Sequence, residues 1–133
     1  MKHILVVEDD PVNALLFRVI LEKRGGFQVS VTESPEEILR LVGQRQVDLV
    51  ILDISLGHSR YQGRPVNGVE LCRMLKADPA SAIVPVILAT AHAMRGDAES
   101  LLRESGADGY VAKPIGDQAA FVEQIRSHLR KAA

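Results

Sequence analysis

Two kinds of segment alternate along the chain. Short apolar runs rich in β-branched residues occupy His3–Val7, Phe27–Val31, Asp48–Leu52, Pro85–Ala89 and Gly109–Ala112. Each has the length of a strand, and three are apolar almost throughout, as parallel strands covered on both faces require. Helical patterns separate them. Val12, Leu15, Leu16, Val19 and Ile20 follow the i, i+3, i+4, i+7, i+8 template, which predicts a helix burying that face. Asp10 suits its N-cap, Pro11 its first position, and Gly25-Gly26 its end. Ser34-Pro35-Glu36-Glu37 opens a second helix with the pattern of a capping box. A third starts near Asn67-Gly68 and carries Val69, Cys72 and Leu75 on one side. A fourth covers roughly Asp97 to Glu104, before Gly106, and the last turns Phe121, Val122, Ile125 and Leu129 inward.

Five strands, each followed by a helix, make a (βα)5 pattern. Right-handed crossovers turn that pattern into a doubly wound α/β fold, a parallel five-stranded sheet with helices on both faces. The expected strand order is the flavodoxin-like 2-1-3-4-5. No repeat, low-complexity tract or long linker divides the chain, so residues 1–133 are expected to form one domain. Gly57 to Asn67 is polar, contains glycine and has neither periodicity; it is expected to be a long loop.

Composition narrows the function classes. Lys plus Arg (16) nearly balances Asp plus Glu (17), a formal charge of −1, which offers no footprint for nucleic acid or an anionic membrane. The apolar run Ile4–Val7 ends at three acidic residues, too short and too abruptly charged for a signal peptide or membrane insertion. The single cysteine, Cys72, cannot form an internal disulfide and fits the apolar side of the third helix. A cytoplasmic location is the expectation.

In open α/β sheets, sites form beyond the carboxyl ends of the strands, where strand order reverses. There the first strand delivers Glu8-Asp9-Asp10, the third Asp53, the fourth Thr90 and the fifth Lys113. Strand two ends at Thr32-Glu33, placed away from the others by the expected order. Glu8, Asp9 and Asp53 crowded together would repel, raising at least one pKa unless a cation sits among them. Hard carboxylate oxygens with room for water suit Mg²⁺. Asp53 is then a candidate nucleophile toward phosphorus, with Lys113 and the Thr90 hydroxyl placed to meet phosphoryl oxygens. Taken singly, these residues also have bland roles: Asp10 as a cap, a threonine at a strand end, a lysine before proline. Their joint placement makes the case.

Four stretches carry a family likeness: Ile4 to Asp10, Val47 to Asp53, Val86 to Ala91 and Gly109 to Pro114. In that order and spacing the chain resembles the receiver domain of two-component response regulators, from about His3 to the last helix, of the stand-alone type. The resemblance implies that Asp53 is the phosphorylated aspartate, Asp9 a direct metal ligand and Glu8 an acid holding the metal through water. It implies that Ser55 offers its backbone carbonyl to the metal, and that Thr90 and Lys113 recognise the phosphoryl group. Tyr110 matches an aromatic switch residue, and His92 the position that tunes phosphoryl loss, though it also fits a solvated loop. His3, His58 and His128 have no metal-site spacing. The bond before the matching proline is usually cis in the family, which is accessible to Lys113-Pro114.

By the same resemblance the donor is a histidine kinase or histidine phosphotransfer protein, and output passes to a downstream protein target through the fourth helix, fifth strand and fifth helix. The 20 residues Pro114 to Ala133 leave no room for an output domain, so output runs through protein contacts or the chain is part of a longer one. The protein would be a stoichiometric phosphoacceptor rather than an enzyme. Two departures stand out: Gly57 replaces the usual proline, and the helix-three glycine, Gly68, comes about seven residues late. The lengthened loop at about 57–67 brings Arg60, Tyr61 and Arg64. It is either a tolerated insertion or a partner-selecting loop. Alternative functions are a Mg²⁺-dependent phosphatase of the haloacid-dehalogenase type and a phosphorylation-independent docking module. Ser55 stands where the phosphatase usually has a second acid. A nucleotide or flavin module is weaker still, because the first strand–helix turn lacks a glycine-rich phosphate loop.

Overall fold

The computed structural model describes residues 1–56, 60–91 and 95–132. The main strands are β1 (His3–Val7), β2 (Gln28–Thr32), β3 (Leu49–Asp53), β6 (Val86–Thr90) and β7 (Gly109–Ala112). All pair in parallel, in the order β2-β1-β3-β6-β7. This is the expected flavodoxin-like order, with a small hairpin, β4 (Arg60–Tyr61) and β5 (Arg64–Pro65), interposed in the numbering. β1, β3 and β6 are the near-continuous apolar runs, and their register aligns Val7 with Leu52 and Asp53 with Ala89. The strand ends that carry acidic residues are therefore level with one another.

Helices α1 (Pro11–Lys23) and α6 (Gln118–Ala132) cover one face of the sheet; α2 (Pro35–Gly43) and α3 (Gly68–Ala77) cover the other, with α5 (Arg95–Ser105) beside α3. On the first face Phe17, Ile20 and Leu21 meet Phe121, Ile125 and Leu129 over Ile4, Val6 and Ile51. The Phe17 and Phe121 rings lie 5.8 Å apart, tilted at 48°. On the second, Ile38, Val42, Leu71, Cys72 and Leu75 pack over Leu5, Val50, Leu52 and Leu88. Cys72 is fully buried, and burial pushes its thiol pKa up to about 11, so it is a packing residue.

The helix caps follow local chemistry. Asp10 caps α1, its carboxylate accepting from Val12 N at 2.9 Å. Ser34 Oγ accepts from Glu37 N at 3.3 Å, but the Ser34 N–H donates to Thr32 Oγ1 instead of Glu37, so only half of the expected capping box forms. The full box is at α3, where Asn67 Oδ1 accepts from Glu70 N and Glu70 Oε1 from Asn67 N. A short helix, α4 (Pro79–Ala82), follows α3; capped by Asp78, its four residues are too few for a periodicity to reveal.

Two expectations are corrected. The buried face of α1 is Ala14, Phe17, Ile20 and Leu21, not Val12, Leu15, Leu16 and Val19. Val12 is 75% exposed and Leu15 61%. Of the five residues first assigned to the core, only Ile20 faces it. Likewise, 57–67 is not irregular throughout. Arg60 pairs with Pro65 and Tyr61 with Arg64 in an antiparallel hairpin, closed by Gln62 (φ 53°) and Gly63 (φ 79°). Two consecutive left-handed residues define the turn whose twist matches a two-residue hairpin. Tyr61 packs against the α2–α3 core, and Val66 is buried within that core.

Candidate functional site

The site is assembled at the carboxyl ends of β1, β3, β6 and β7. Asp53 closes β3 and is buried, at 3% exposure, because β1 and β6 flank its strand. Glu8 leaves β1 with 4% exposure, its backbone N–H donating to Thr32 O at 3.3 Å. Asp9 is half-buried beside it. One carboxylate oxygen from each of Glu8, Asp9 and Asp53 lies within 4.8 Å of the others. The three acids that the sequence placed on one edge are thus within reach of one small cation.

Lys113 reaches into the same cluster. Its Nζ stands 3.0 Å from Glu8 Oε1 and 3.2 Å from Asp53 Oδ1. Its backbone N–H donates to Thr90 O at 2.8 Å, and the Lys113-Pro114 bond is cis. Thr90 ends β6, almost wholly buried. Burial would lower the Lys113 pKa, but Glu8 and Asp53 outweigh it and hold the ammonium above its ordinary value. The Glu8 carboxyl is pushed up to about 7, first by burial and then by Asp53, with Lys113 compensating only in part. Among the described residues one ammonium stands among three acids, which leaves the cluster short of positive charge. The donor set, all hard oxygens, fits a divalent cation such as Mg²⁺.

The loop after Asp53 is tied back to it. Ser55 N donates to Asp53 Oδ1 at 3.1 Å, and Ile54 N donates to Ala89 O. Gly68, the first residue of α3, donates its N–H to Ile54 O at 3.2 Å. A Cβ at Gly68 would collide with the Asp53 carbonyl oxygen and lie 2.7 Å from Ile54 Cα. Sequence reasoning missed this close approach, because a backbone contact leaves no mark beyond the glycine itself. It also missed the pairing of Lys113 with Glu8, residues 105 positions apart. Tyr110 lies on β7 with its side chain exposed and its carbonyl accepting from Gln124 Nε2. His92 lies outside the described residues, as does His58. His3 is structural: its ring contacts Gln46 O and Ser30 Oγ.

The model of the response regulator receiver domain matches residues 4–126, across all of these strand ends. The chain belongs to the response regulator receiver domain family. Among similar proteins is the polar-differentiation response regulator DivK of Brucella ovis, 37% identical over 128 residues, which are 96% of each chain. Among solved structures, the receiver domain of the Pseudomonas aeruginosa sensor histidine kinase PA1611 superposes with a TM-score of 0.79 at 26% identity, covering 97% of this chain and 98% of that one. That structure has a magnesium ion coordinated in its active-site cleft. A signal receiver domain from a Syntrophus aciditrophicus histidine kinase gives 0.78 at 29% identity, covering 98% and 92%. The chain is therefore a two-component receiver, a signalling module. Among the described residues no helix is long and apolar enough to cross a membrane.

Proposed function

We propose that this receiver accepts a phosphoryl group on Asp53 from a phosphohistidine of a histidine kinase or phosphotransfer protein, in a Mg²⁺-dependent reaction in the cytoplasm. The observation that carries the reading is the buried Asp53 carboxylate set among Glu8, Asp9 and Lys113 at one sheet edge. Glu8, Asp9 and Asp53, with the Ser55 carbonyl, would hold the metal. When bound there, Mg²⁺ supplies positive charge against the phosphoryl oxygens. An Asp53 oxygen attacks phosphorus as the P–N bond to the donor imidazole breaks, and the electron pair leaves with that nitrogen, which takes a proton. Lys113, already 3.2 Å from Asp53, pairs with one phosphoryl oxygen, and the Thr90 hydroxyl donates to another. In this reading residues 1–133 act as one receiver, lengthened at 57–67, and His92 tunes phosphoryl loss.

The exposed stripe on α1 supports a docking role toward the donor. Val12, Leu15, Leu16 and Val19 form it, starting two residues after Asp10. A helix of the donor laid along that stripe would place its histidine beside Asp53. Phosphorylation shifts a pre-existing equilibrium, Tyr110 changes position, and the surface of α5, β7 and α6 engages a protein target.

Incubation with acetyl phosphate and Mg²⁺, followed by intact mass measurement, tests the reading. Wild type is expected to gain one alkali-labile phosphoryl group and Asp53→Asn none. Equal labelling of the two would refute it, and repeated turnover of phosphate esters would favour a phosphatase instead.

A further inference from the structure

Ile54 separates the two groups that the proposed metal site takes from the end of β3, the Asp53 carboxylate and the Ser55 carbonyl. Its own backbone polar groups are bound by two different elements. Ile54 N donates to Ala89 O of β6 at 3.2 Å, and Ile54 O accepts from Gly68 N, the first residue of α3, at 3.2 Å. Its side chain packs against the α2–α3 core. Ser55 N in turn donates to Asp53 Oδ1 at 3.1 Å, which ties the carboxylate to the same turn. The turn is thus held between β6 and α3.

On the α3 side there is no slack. A Cβ at Gly68 would collide with the Asp53 carbonyl oxygen, 2.7 Å from Ile54 Cα and 2.9 Å from the Asp53 carbonyl carbon. All three atoms are backbone, so none can turn aside as a side chain would. Gly68 does not have a positive φ, so the position requires space rather than a left-handed backbone. Nor can α3 withdraw freely. Its start is fixed by the Asn67–Glu70 capping box and by Val66, Leu71 and Cys72 buried around it in the core. Mg²⁺ takes short bonds in a near-ideal octahedron, whereas Ca²⁺ accepts longer bonds and irregular shells. We infer that Gly68 is a positioning residue of the metal site. By letting α3 close on the backbone of Asp53 and Ile54, it fixes the Asp53 carboxylate and the Ser55 carbonyl rigidly enough for the stricter shell of Mg²⁺. This role rests on the Mg²⁺-dependent phosphoacceptor reading.

Amide-resolved NMR titration of the full chain with MgCl2 and, separately, with CaCl2 tests the proposal, read at Glu8, Asp9 and Asp53 to Ser55. Gly68→Ala is expected to weaken Mg²⁺ binding about ten-fold and Ca²⁺ binding less than about three-fold. Asn67→Ala loosens the start of α3 without adding an atom at Gly68. It should weaken Mg²⁺ binding about three-fold, with Asn67→Ser, which keeps a cap, regaining most of the loss. Val42→Ala opens a cavity in the last turn of α2, lowering stability without touching the Asp53 turn, and should leave both affinities within about two-fold. Where Gly68→Ala does not fold, the Asn67 pair decides alone. Unchanged Mg²⁺ affinity in Gly68→Ala and Asn67→Ala would overturn the proposal. Equal losses for Mg²⁺ and Ca²⁺ would do the same, as would a matching loss in Val42→Ala. Wild type showing no Mg²⁺ shifts at these amides would overturn the metal reading itself, and the role of Gly68 with it.

Discussion

The Glu8 carboxyl offers a quantitative check on the charge balance of the site. Its pKa is pushed from an ordinary 4.5 up to about 7, by burial first and Asp53 second. Between those values the folded protein holds a proton that the unfolded chain has lost. Stability of the metal-free protein therefore falls as pH rises through that window. The penalty is absent below 4.5 and complete above about 7. At about 1.4 kcal/mol per pH unit, it amounts to on the order of 3 kcal/mol. Glu8 is 4% exposed, so solvent screening does little to reduce it.

Glu8→Gln removes the titration while keeping the shape. Any constant difference between glutamine and protonated glutamate drops out when the two proteins are compared across pH. Urea unfolding in the presence of a chelator, from pH 4.5 to 8.5, is the assay. The variant is expected to gain on wild type by about 3 kcal/mol over that range, a midpoint difference of about 2 M at an m-value near 1.5 kcal/mol/M. Millimolar Mg²⁺ should flatten the pH dependence of wild type, since the cation relieves the same repulsion. A stability difference independent of pH would refute the reasoning, because Glu8 would then be ionised in the folded protein at no cost.

Other substitutions probe separate parts of the structure. Gly68→Ala sets a Cβ against the backbone of Asp53 and Ile54, which cannot swing aside as a side chain could. Overpacking of about 3 kcal/mol outweighs the roughly 1 kcal/mol that alanine gains in a helix, so a fall of about 8 °C in Tm is expected by calorimetry. An unchanged Tm would show that the contact is slack. Asn67→Ala loses half of the α3 capping box and should cost about 1 kcal/mol in chemical unfolding. Leu15→Asp, at an exposed position, should leave stability within about 0.5 kcal/mol while slowing phosphotransfer from a histidine kinase and sparing labelling by acetyl phosphate. Equal loss with both donors would remove α1 from the docking reading.

The site was more legible in the sequence than parts of the scaffold, for a physical reason. Parallel strands in this order bring their carboxyl ends level, so Glu8, Asp9, Asp53, Thr90 and Lys113 could be placed together from strand positions alone. The two-residue strands of the hairpin have no period to detect, and Gln62-Gly63 is a weaker turn signal than Asn-Gly or Asp-Gly. Contacts between distant residues, such as Lys113 with Glu8, depend on how far a side chain reaches and leave no local pattern.

The misassigned face of α1 is the most instructive difference. Periodicity established that Pro11 to Lys23 is helical, but this helix carries two apolar stripes. Ala14, Phe17 and Leu21 meet the template at i, i+3 and i+7, a second and sparser stripe beside Val12, Leu15, Leu16 and Val19. What selects between them is tertiary: Phe17 meets Phe121 of α6 over β1 and β3, an interaction no local window contains. Burying one stripe leaves the other in water. A contiguous exposed apolar strip opposes solubility and marks an interaction surface more often than a passive one. The strip starts three residues after Asp9, on the helix that leaves the acidic cluster. The same burial choice that defeated the periodicity therefore leaves an apolar strip on the helix that follows the acidic cluster, where the proposed protein donor of Asp53 would dock.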